Sequence, residues 1–407
     1  MKTAFFASVC LIWAALANPA HAESLDDLLA KLKNHPQVDA ILAESERQNE
    51  LAKGQLGLPD PTVSLGINNM PLDNFSFRTE RMTSKVVEFR QAIPSYSLRK
   101  AQYGIRQAES DKQKLMAEYA VAQLRALLIK RLVELNMLDE LEDNATQQIA
   151  LYKTIDKHLE GRTQAGDSVY GDFFAFDAQR LEVDHVLNDL NQERAEATEE
   201  LRWLVGSVPE DITLEHGISQ WPVDADKLYP ALIAKEDVAI KRSGVEEADA
   251  AFGPNYGVET AYMQRDNVGG VDLSDTFTIK ASISIPLWAE SNQKPKLRAA
   301  QAAKRSAEFT FEDTKRQWLS RMNVLQNELD VLLKNVAVLE KKKAALDQLI
   351  AARERQYESG ESDYPAFLKA KIDRLALTQR LIRHHAHHKM LIAQINSHIA
   401  GGEHEKN

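Results

Sequence analysis

Four histidines near the C-terminal end of the sequence have the types and spacing that most directly suggest chemistry. They are His384, His385, His387 and His388. His384 and His388 are four residues apart, so both rings lie on one face of a helix at a spacing that can chelate a divalent ion. The same spacing also occurs on a solvated helix face with adventitious affinity for metal, and we favour this second interpretation.

The rest of the sequence offers no catalytic motif. It contains no nucleophile elbow, phosphate-binding loop or spaced set of metal ligands. The single cysteine is Cys10, which lies in the N-terminal segment, so the remaining chain has no thiol for a disulfide, a metal site or a nucleophile. The net charge of −10 without a basic block argues against nucleic acid as a partner. We therefore expect a protein that is not an enzyme and has no cofactor.

The N-terminus has the pattern of a secretory signal peptide. Lys2 supplies the positive charge, residues 4–17 are apolar but too few to span a bilayer, and Ala20-His21-Ala22 fits a cleavage site. We predict a signal peptide over 1–22 and a mature protein that begins at Glu23. The alternative is a buried helix that happens to start the chain.

The remaining sequence is predicted to be two copies of one unit. Matching landmarks recur 192 to 195 residues apart: His35-Pro36 with Tyr229-Pro230, Pro61 with Pro254, Ile93-Pro94 with Ile285-Pro286, Gly166 with Gly360, and Gly206 with Gly401. We predict a first unit over 23–206 with a β-hairpin at 62–94, a linker over 207–226, a second unit over 227–401 with a β-hairpin at 255–287, and a tail over 402–407. The alternative is two helical stretches of similar composition.

Each unit is predicted to contain a helix of some thirty residues, two strands, a very long helix and a shorter helix. The first helix is expected near 24–56. Leucines from Leu124 to Leu141 recur every three or four residues, which is typical of a coiled-coil seam. The long helix near 97–161 would measure roughly 100 Å, so the fold class is mainly α with a small β part and long antiparallel helices.

The four strand-like segments alternate apolar and polar residues. In the fourth, Phe277, Ile279, Ala281 and Ile283 alternate with Thr278, Lys280 and Ser282. This alternation is typical of a transmembrane β-barrel, but any half-buried strand shows it as well. Because the smallest membrane barrels have eight strands, four strands require other copies of the chain. Three copies would give a 12-stranded β-barrel and a ring of long helices around a tunnel.

This architecture, and several residues, resemble the TolC-like family of outer-membrane efflux proteins. The residues that carry the resemblance are His35-Pro36, Leu58-Pro59-Asp60-Pro61, Leu204-Val205-Gly206, Ile283-Ser284-Ile285-Pro286-Leu287-Trp288 and Tyr357-Glu358-Ser359-Gly360. Their order along the chain, rather than any one of them, makes the match, and the match covers essentially the whole mature chain. Length, short loops and the Ile-Pro-Leu-Trp segment favour the heavy-metal branch (CzcC- and CusC-like).

The resemblance implies a homotrimer whose β-barrel lies in the lipid of the outer membrane and whose helices cross the periplasm. It implies two protein partners, a periplasmic adaptor and an inner-membrane transporter of the resistance-nodulation-division class (RND). The channel would conduct solutes passively, with heavy-metal cations favoured over drugs, other solutes or type I secretion cargo. A periplasmic coiled-coil scaffold without transport is the alternative from another class.

The resemblance also places the helical turns at the periplasmic tip, where an adaptor docks and a gate would lie. The candidate residues there are Gly161, Gly166, Asp167, Asp172, Glu358, Gly360, Glu361 and Asp363. Ringed carboxylates would attract cations, whereas helix capping explains the same acidic residues equally well. The family often has Asp where this sequence has Ala366 and Lys369, which weakens the expectation of an aspartate gate.

The charged residues of the strands are expected to point into the barrel lumen. They are Glu88, Arg90, Glu259 and Lys280. A charge on the lipid face would cost about 2–4 kcal/mol at the middle of the membrane, so the lumen is the favourable side. For a channel, tight metal binding at His384 and His388 would impede transit, which is why the solvated helix face is the favoured interpretation there.

Overall fold

A computed structural model describes residues 24–166, 170–209, 224–359 and 364–401, without the side chains of Tyr170 and Asp172. The predicted signal peptide and its cleavage site, most of the predicted linker, and the tail over 402–407 lie outside the described residues. In the described part the elements are α1 Leu25–Lys33, α2 Pro36–Gln55, β1 Thr62–Asn68, β2 Ser84–Ile93, α3 Tyr96–Gln164, α4 Tyr170–Val205, α5 Tyr229–Ala250, β3 Asn255–Gln264, β4 Thr276–Ser284, α6 Gln293–Glu358 and α7 Tyr364–Ser397.

The architecture is mainly helical with one small sheet, as predicted. Apart from α1, the α-helices and strands follow the same order in both halves of the described chain. The division into two duplicated units stays a prediction. The strands form one antiparallel sheet in the order β1-β2-β3-β4. Within the described residues, no helix is both long enough and apolar enough to cross a membrane.

The first predicted helix is wrong in one respect, because the structure has two helices where the sequence predicted one near 24–56. The break lies at His35, whose backbone is extended (φ −69°, ψ 137°). Pro36 causes it, since a proline disfavours helical geometry in the residue before it and cannot donate a backbone hydrogen bond. Pro36 instead starts α2, and His35 Nδ1 accepts the Gln37 N–H at 3.3 Å.

The long helix α3 spans 69 residues, or roughly 100 Å, and it is the central support of the fold. It packs against α2 and α5 along its first half and against α4 and α7 along its second half. Its predicted leucine seam is confirmed, because Leu128, Leu138 and Leu141 are almost completely buried. Ile129 and Val133, between these leucines, are also buried and pack with Ala386 and Ala393 of α7, so α3 is packed on more than one side.

Short helices extend α4 and α7 so that they match the length of α3 and α6. On α1, Leu28 and Leu32 are fully buried and pack with Leu201 and Leu204 at the end of α4. In the second half, Leu228 forms a bridge with Ile399 just beyond α7. The sheet lies where α3 and α6 begin, and the helical turns lie about 100 Å away where they end.

A buried histidine lies where the end of α7 meets the start of α5. The Nδ1 atom of His398 is 2.9 Å from the Tyr119 hydroxyl oxygen, and its ring is 4.7 Å from that of Trp318. Its backbone oxygen accepts the Tyr229 N–H at 3.0 Å. Burial, and to a lesser extent Arg321, lower the pKa of His398 to about 4. His398 is therefore neutral in the folded protein over the whole physiological range.

His398 makes stability depend on pH. Its ordinary pKa is 6.5, so between pH 6.5 and 4 the unfolded chain binds a proton that the folded chain excludes, and stability falls as pH falls. From pH 7.5 to pH 5 this amounts to about 2 kcal/mol. The thermal unfolding temperature of His398→Gln should fall less over this pH range than that of the native protein.

The matched control is His185→Gln, because His185 is an exposed histidine on α4. This variant should keep the pH dependence of the native protein. An equal fall in unfolding temperature for His398→Gln and the native protein would show that His398 does not couple protonation to folding.

Candidate functional site

The four-stranded sheet has one polar face and one apolar face. Paired residues of antiparallel strands point to the same side, so the register assigns every side chain to a face. The polar face carries Thr62, Ser64, Gly66 and Asn68 of β1, Ser84, Val86, Glu88, Arg90 and Ala92 of β2, Asn255, Gly257, Glu259, Ala261 and Met263 of β3, and Thr276, Thr278, Lys280, Ser282 and Ser284 of β4. The alternation predicted from the sequence is confirmed by this register for β1 and β4, whereas β2 is weaker, with Val86 on the polar face and Lys85 and Gln91 on the apolar face.

The apolar face is exposed to solvent in the single chain. Its large side chains are Val63, Leu65, Ile67, Val87, Phe89, Ile93, Tyr256, Val258, Tyr262, Phe277, Ile279 and Ile283. Leu65 is 80% exposed and Ile279 is 67% exposed. Folded proteins rarely leave a continuous apolar patch of this kind open to water, so the face requires an apolar environment or another protein surface.

Three of the four predicted lumen residues form one charged row across the polar face. Arg90 pairs in register with Glu259, and Glu259 pairs with Lys280. One guanidinium nitrogen (Nη2) of Arg90 is 3.0 Å from Oε2 of Glu259, and Lys280 Nζ is 3.0 Å from Oε1 of the same carboxylate. The glutamate is mostly covered, while both cations are mainly exposed. One carboxylate thus holds two cations on neighbouring strands.

Glu88 lies on the same face, two residues from Arg90, at the level of Ser64 and Ala261. In the part of the chain that the structure describes, it has no ion-pair partner. Glu88 is therefore the one member of the predicted group that lies outside the charged row. That the four residues line a channel lumen stays a prediction.

The predicted acidic residues at the helical turns are only partly within the described chain. Asp167, Gly360, Glu361 and Asp363 lie outside it, and Asp172 belongs to α4 but its side chain is not described. Glu358 is the last residue of α6. The acidic gate therefore remains a hypothesis on which the structure does not bear.

The glycines of the first turn have distinct structural roles. Gly161 lies inside α3, and its backbone oxygen accepts the Ala165 N–H at 3.1 Å. Gly166 has φ +98°, a left-handed conformation that strains any residue with a Cβ atom. Its N–H donates to the Thr163 oxygen at 3.1 Å, so it closes the last turn of α3 as a C-terminal cap.

An aromatic cluster near the same end was missed by the sequence analysis. Tyr364, at the start of α7, has its ring 4.9 Å from Tyr357 of α6, 5.3 Å from His158 of α3 and 6.1 Å from Phe367. It thereby connects the ends of three helices. The sequence offers one signal for this, two tyrosines placed seven residues apart across a turn.

The histidine run of α7 contacts α6. His387 Nε2 is 3.1 Å from Glu328 Oε1, and His385 Nε2 is 3.8 Å from Glu340 Oε1. Burial lowers the pKa of His388, and the neighbouring His385 contributes. Among the described residues, no three His, Cys, Asp or Glu side chains are grouped so that they could hold a metal ion.

No protein-family model matches the chain, and a search of curated proteins gives no significant match. Solved structures do match. The outer membrane protein VceC from Vibrio cholerae has a TM-score of 0.73 at 16% identity, over 92% of this chain and 95% of that one. CusC, described for its transmembrane channel formation, has a TM-score of 0.74 at 12% identity, over 93% of this chain and 92% of that one. The open MtrE outer membrane channel of Neisseria gonorrhoeae has a TM-score of 0.74 at 14% identity, over 92% of this chain and 88% of that one.

At these identities the likeness establishes the fold alone. The chain therefore has the fold of the TolC-like channels, which confirms the predicted fold class. The likeness does not distinguish the heavy-metal branch, because VceC and MtrE match as well as CusC does.

The charged row gives a direct test of the sheet. Glu259→Gln leaves Arg90 and Lys280, on the two strands that flank β3, without a neutralising carboxylate, so the variant should be slightly less stable than the native protein, a small effect because both cations are exposed. Denaturant unfolding followed by fluorescence measures this. Glu88→Gln, on the same face but outside the row, is the control and should change stability by less than ~0.5 kcal/mol. Equal losses in the two variants would mean that the row adds nothing.

Proposed function

We propose that this protein is an outer-membrane channel that works as a homotrimer with a twelve-stranded β-barrel. The observation that supports this most strongly is the sheet, which leaves its apolar face open and carries Glu88, Arg90, Glu259 and Lys280 on the opposite face. The one charge on the apolar side of the described strands is Lys85, at the far end of β2, which pairs with Asp266 at 3.6 Å. Lipid would cover the apolar face, and water in a lumen would solvate the row of Arg90, Glu259 and Lys280. The helices would extend this lumen into the periplasm for roughly 100 Å.

Closure of the sheet explains why several copies are needed. In the sheet of one chain, β1 and β4 are both edge strands. An open edge in lipid leaves unpaired N–H and C=O groups, each costing several kcal/mol. Pairing β4 of one copy with β1 of the next removes every edge, and three copies give twelve strands, within the range of membrane barrels.

Aromatic side chains at both ends of the apolar face support its placement in a bilayer. Tyr256 and the 72% exposed Trp288 lie at the end near the helices, and Tyr262 and Phe277 lie at the far end. Tyr256 and Tyr262 are six residues apart, or about 20 Å. Membrane barrels carry such aromatic girdles around an apolar band of about 25 Å.

The solute and the protein partners are the finer part of the proposal. The channel would conduct passively, would not be an enzyme, and would receive its solute through a periplasmic adaptor from an RND transporter. Heavy-metal cations remain the favoured solute, from the length, loops and Ile-Pro-Leu-Trp segment. The charged row, with two cations around one carboxylate, adds no preference for cations, so drugs, other solutes or secretion cargo are the alternative.

Extraction of the protein from cells separates the channel from a periplasmic scaffold. A channel should remain with the outer-membrane fraction until detergent is added. A mature protein that dissolves fully without detergent would refute the channel and favour the scaffold.

The two faces of β4 allow a matched test by substitution. Ile279→Arg places a charge on the apolar face, which should cost about 2–4 kcal/mol in the bilayer and strongly reduce the amount assembled in the outer membrane. Thr278→Arg places the same charge one residue away on the polar face and should assemble normally. Membrane fractionation with immunoblotting measures both amounts. If Ile279→Arg assembles as well as Thr278→Arg, the apolar face does not contact lipid.

Deletion of the gene tests the solute. The deletion strain should become more sensitive to at least one of zinc, cobalt, cadmium, copper and silver, with more of that metal accumulated in the cell. The His384→Ala/His388→Ala variant should restore tolerance as fully as the native protein, because we interpret these residues as a solvated helix face and tight metal binding would impede transit. Unchanged tolerance to all five metals would reject the heavy-metal assignment and leave the other solutes.

A further inference from the structure

The two outer helices of the bundle, α4 and α6, carry opposite charge. Within the described residues α4 packs only on α3 and α1, and α6 packs on α5, α7 and the short helical turn before α5, so the two never meet in one chain. The α4 sequence holds nine Asp and Glu against three Arg. The α6 sequence holds fourteen Lys and Arg against nine Asp and Glu.

An apolar stripe runs along α6 on a side that none of the described helices covers. Val324, Val331 and Val338 are spaced seven residues apart and are 61%, 54% and 64% exposed. Leu349 continues the same side and is also exposed. Three exposed valines at heptad spacing are typical of a coiled-coil seam, which needs a second helix. Lys342 lies on this side of α6, four residues beyond Val338.

The outward side of α4 has a matching pattern. Trp203 is 56% exposed and Leu181 is 55% exposed. Between them lie Asp189 and Glu196, also seven residues apart. Asp189 is 3.4 Å from His185, and Glu196 accepts the Gln192 amide at 3.0 Å. Neither has a Lys or Arg partner among the residues that the structure describes.

Contacts inside the chain set the relative heights of α4 and α6 along the bundle. Arg194 of α4 pairs with Asp139 of α3 at 2.6 Å. The Asn144 amide of α3 donates to the Leu375 backbone oxygen of α7 at 3.2 Å. Arg374, the residue before Leu375, pairs with Asp347 of α6.

These cross-links place Lys342 within about one helical turn of Arg194 in height. Counting along the helices from there, Val331 lies at about the height of Trp203, and Val338 at about that of Glu196.

We propose that α6 of one copy packs against α4 of the next copy, with the valine stripe against Trp203 and Lys341 and Lys342 against Asp189 and Glu196. This inference rests on the proposed homotrimer and specifies which helices of neighbouring copies are in contact, a contact that we call the seam. Rotation about an axis parallel to the helices brings residues of equal height together. It also joins two different faces, which is the head-to-tail contact that closes a ring. Opposite charges then select a second copy of this chain and fix its direction.

Charge reversal and its compensation test the seam. The Lys341→Glu/Lys342→Glu variant and the Asp189→Lys/Glu196→Lys variant should each dissociate at about tenfold higher concentration, because each turns attraction into repulsion. The combination of all four changes should return to within about twofold of the native protein. The measurement is the mass of detergent-extracted protein by light scattering over a dilution series.

The matched control is Lys153→Glu/Lys157→Glu on α3, which makes the same charge change on exposed positions away from α6. It should assemble like the native protein. Lys341→Gln/Lys342→Gln, which removes charge without reversing it, should give an intermediate effect and guards against misfolding of the reversed variant.

The outcomes separate this inference from the proposed function. A native protein that assembles while both reversed variants assemble equally well refutes the seam and leaves the channel intact. Weakened reversed variants that are not rescued by their combination also refute it. A native protein that stays a single copy at every concentration refutes the homotrimer itself.

Discussion

The apolar face of the four-stranded sheet is the constraint on which the rest of the structure depends. Its side chains are large, they are exposed in a single chain, and the helices lie too far along the molecule to cover them. Each square ångström left in water forgoes about 25 cal/mol, so a face of this size would make the isolated chain prone to associate. In the proposed channel, lipid would cover the apolar face and the strands would close into a ring, and together these would satisfy the constraint.

The arrangement of the helices follows from a second constraint. The molecule is long and has no globular core in which a long helix could bury its apolar residues. A helix of 69 residues cannot bury its apolar side against itself, so α3 needs partners along its whole length. The chain supplies them in pieces, because α1 and α2 continue the line of α4 and α5 continues that of α7. Pro36 and Pro230 each lie in the first turn of such a piece, where a missing N–H costs nothing.

Much of this fold was predictable because it depends on local periodicity. The leucine seam of α3 and the alternation of β4 each repeat over many residues, so the spacing of apolar residues alone identified both. The break at His35 was missed because the Leu-rich sequence before Pro36 and the Ala- and Glu-rich sequence after it both favour helix, and the proline opposes it. The sequence predicted that four charged residues lie on one side of the strands. It did not predict the ion pairs, because Arg90 and Glu259 are 169 residues apart and their pairing depends on strand register. The aromatic cluster around Tyr364 likewise requires the ends of three helices to meet, and the spacing of Tyr357 and Tyr364 gives no sign of the contact with His158 of α3.

The central claim is that neighbouring residues of one strand face lipid and water in turn. The single cysteine, Cys10, lies in the predicted signal peptide, so the predicted mature chain has no thiol and a spin label can be attached at one chosen position after Ile279→Cys or Lys280→Cys substitution. In protein reconstituted into lipid, collisions with oxygen report the bilayer, and collisions with a water-soluble nickel chelate report the aqueous phase. The account predicts that the label at 279 collides mainly with oxygen and the label at 280 mainly with the chelate. Equal access of the chelate to both labels would contradict it.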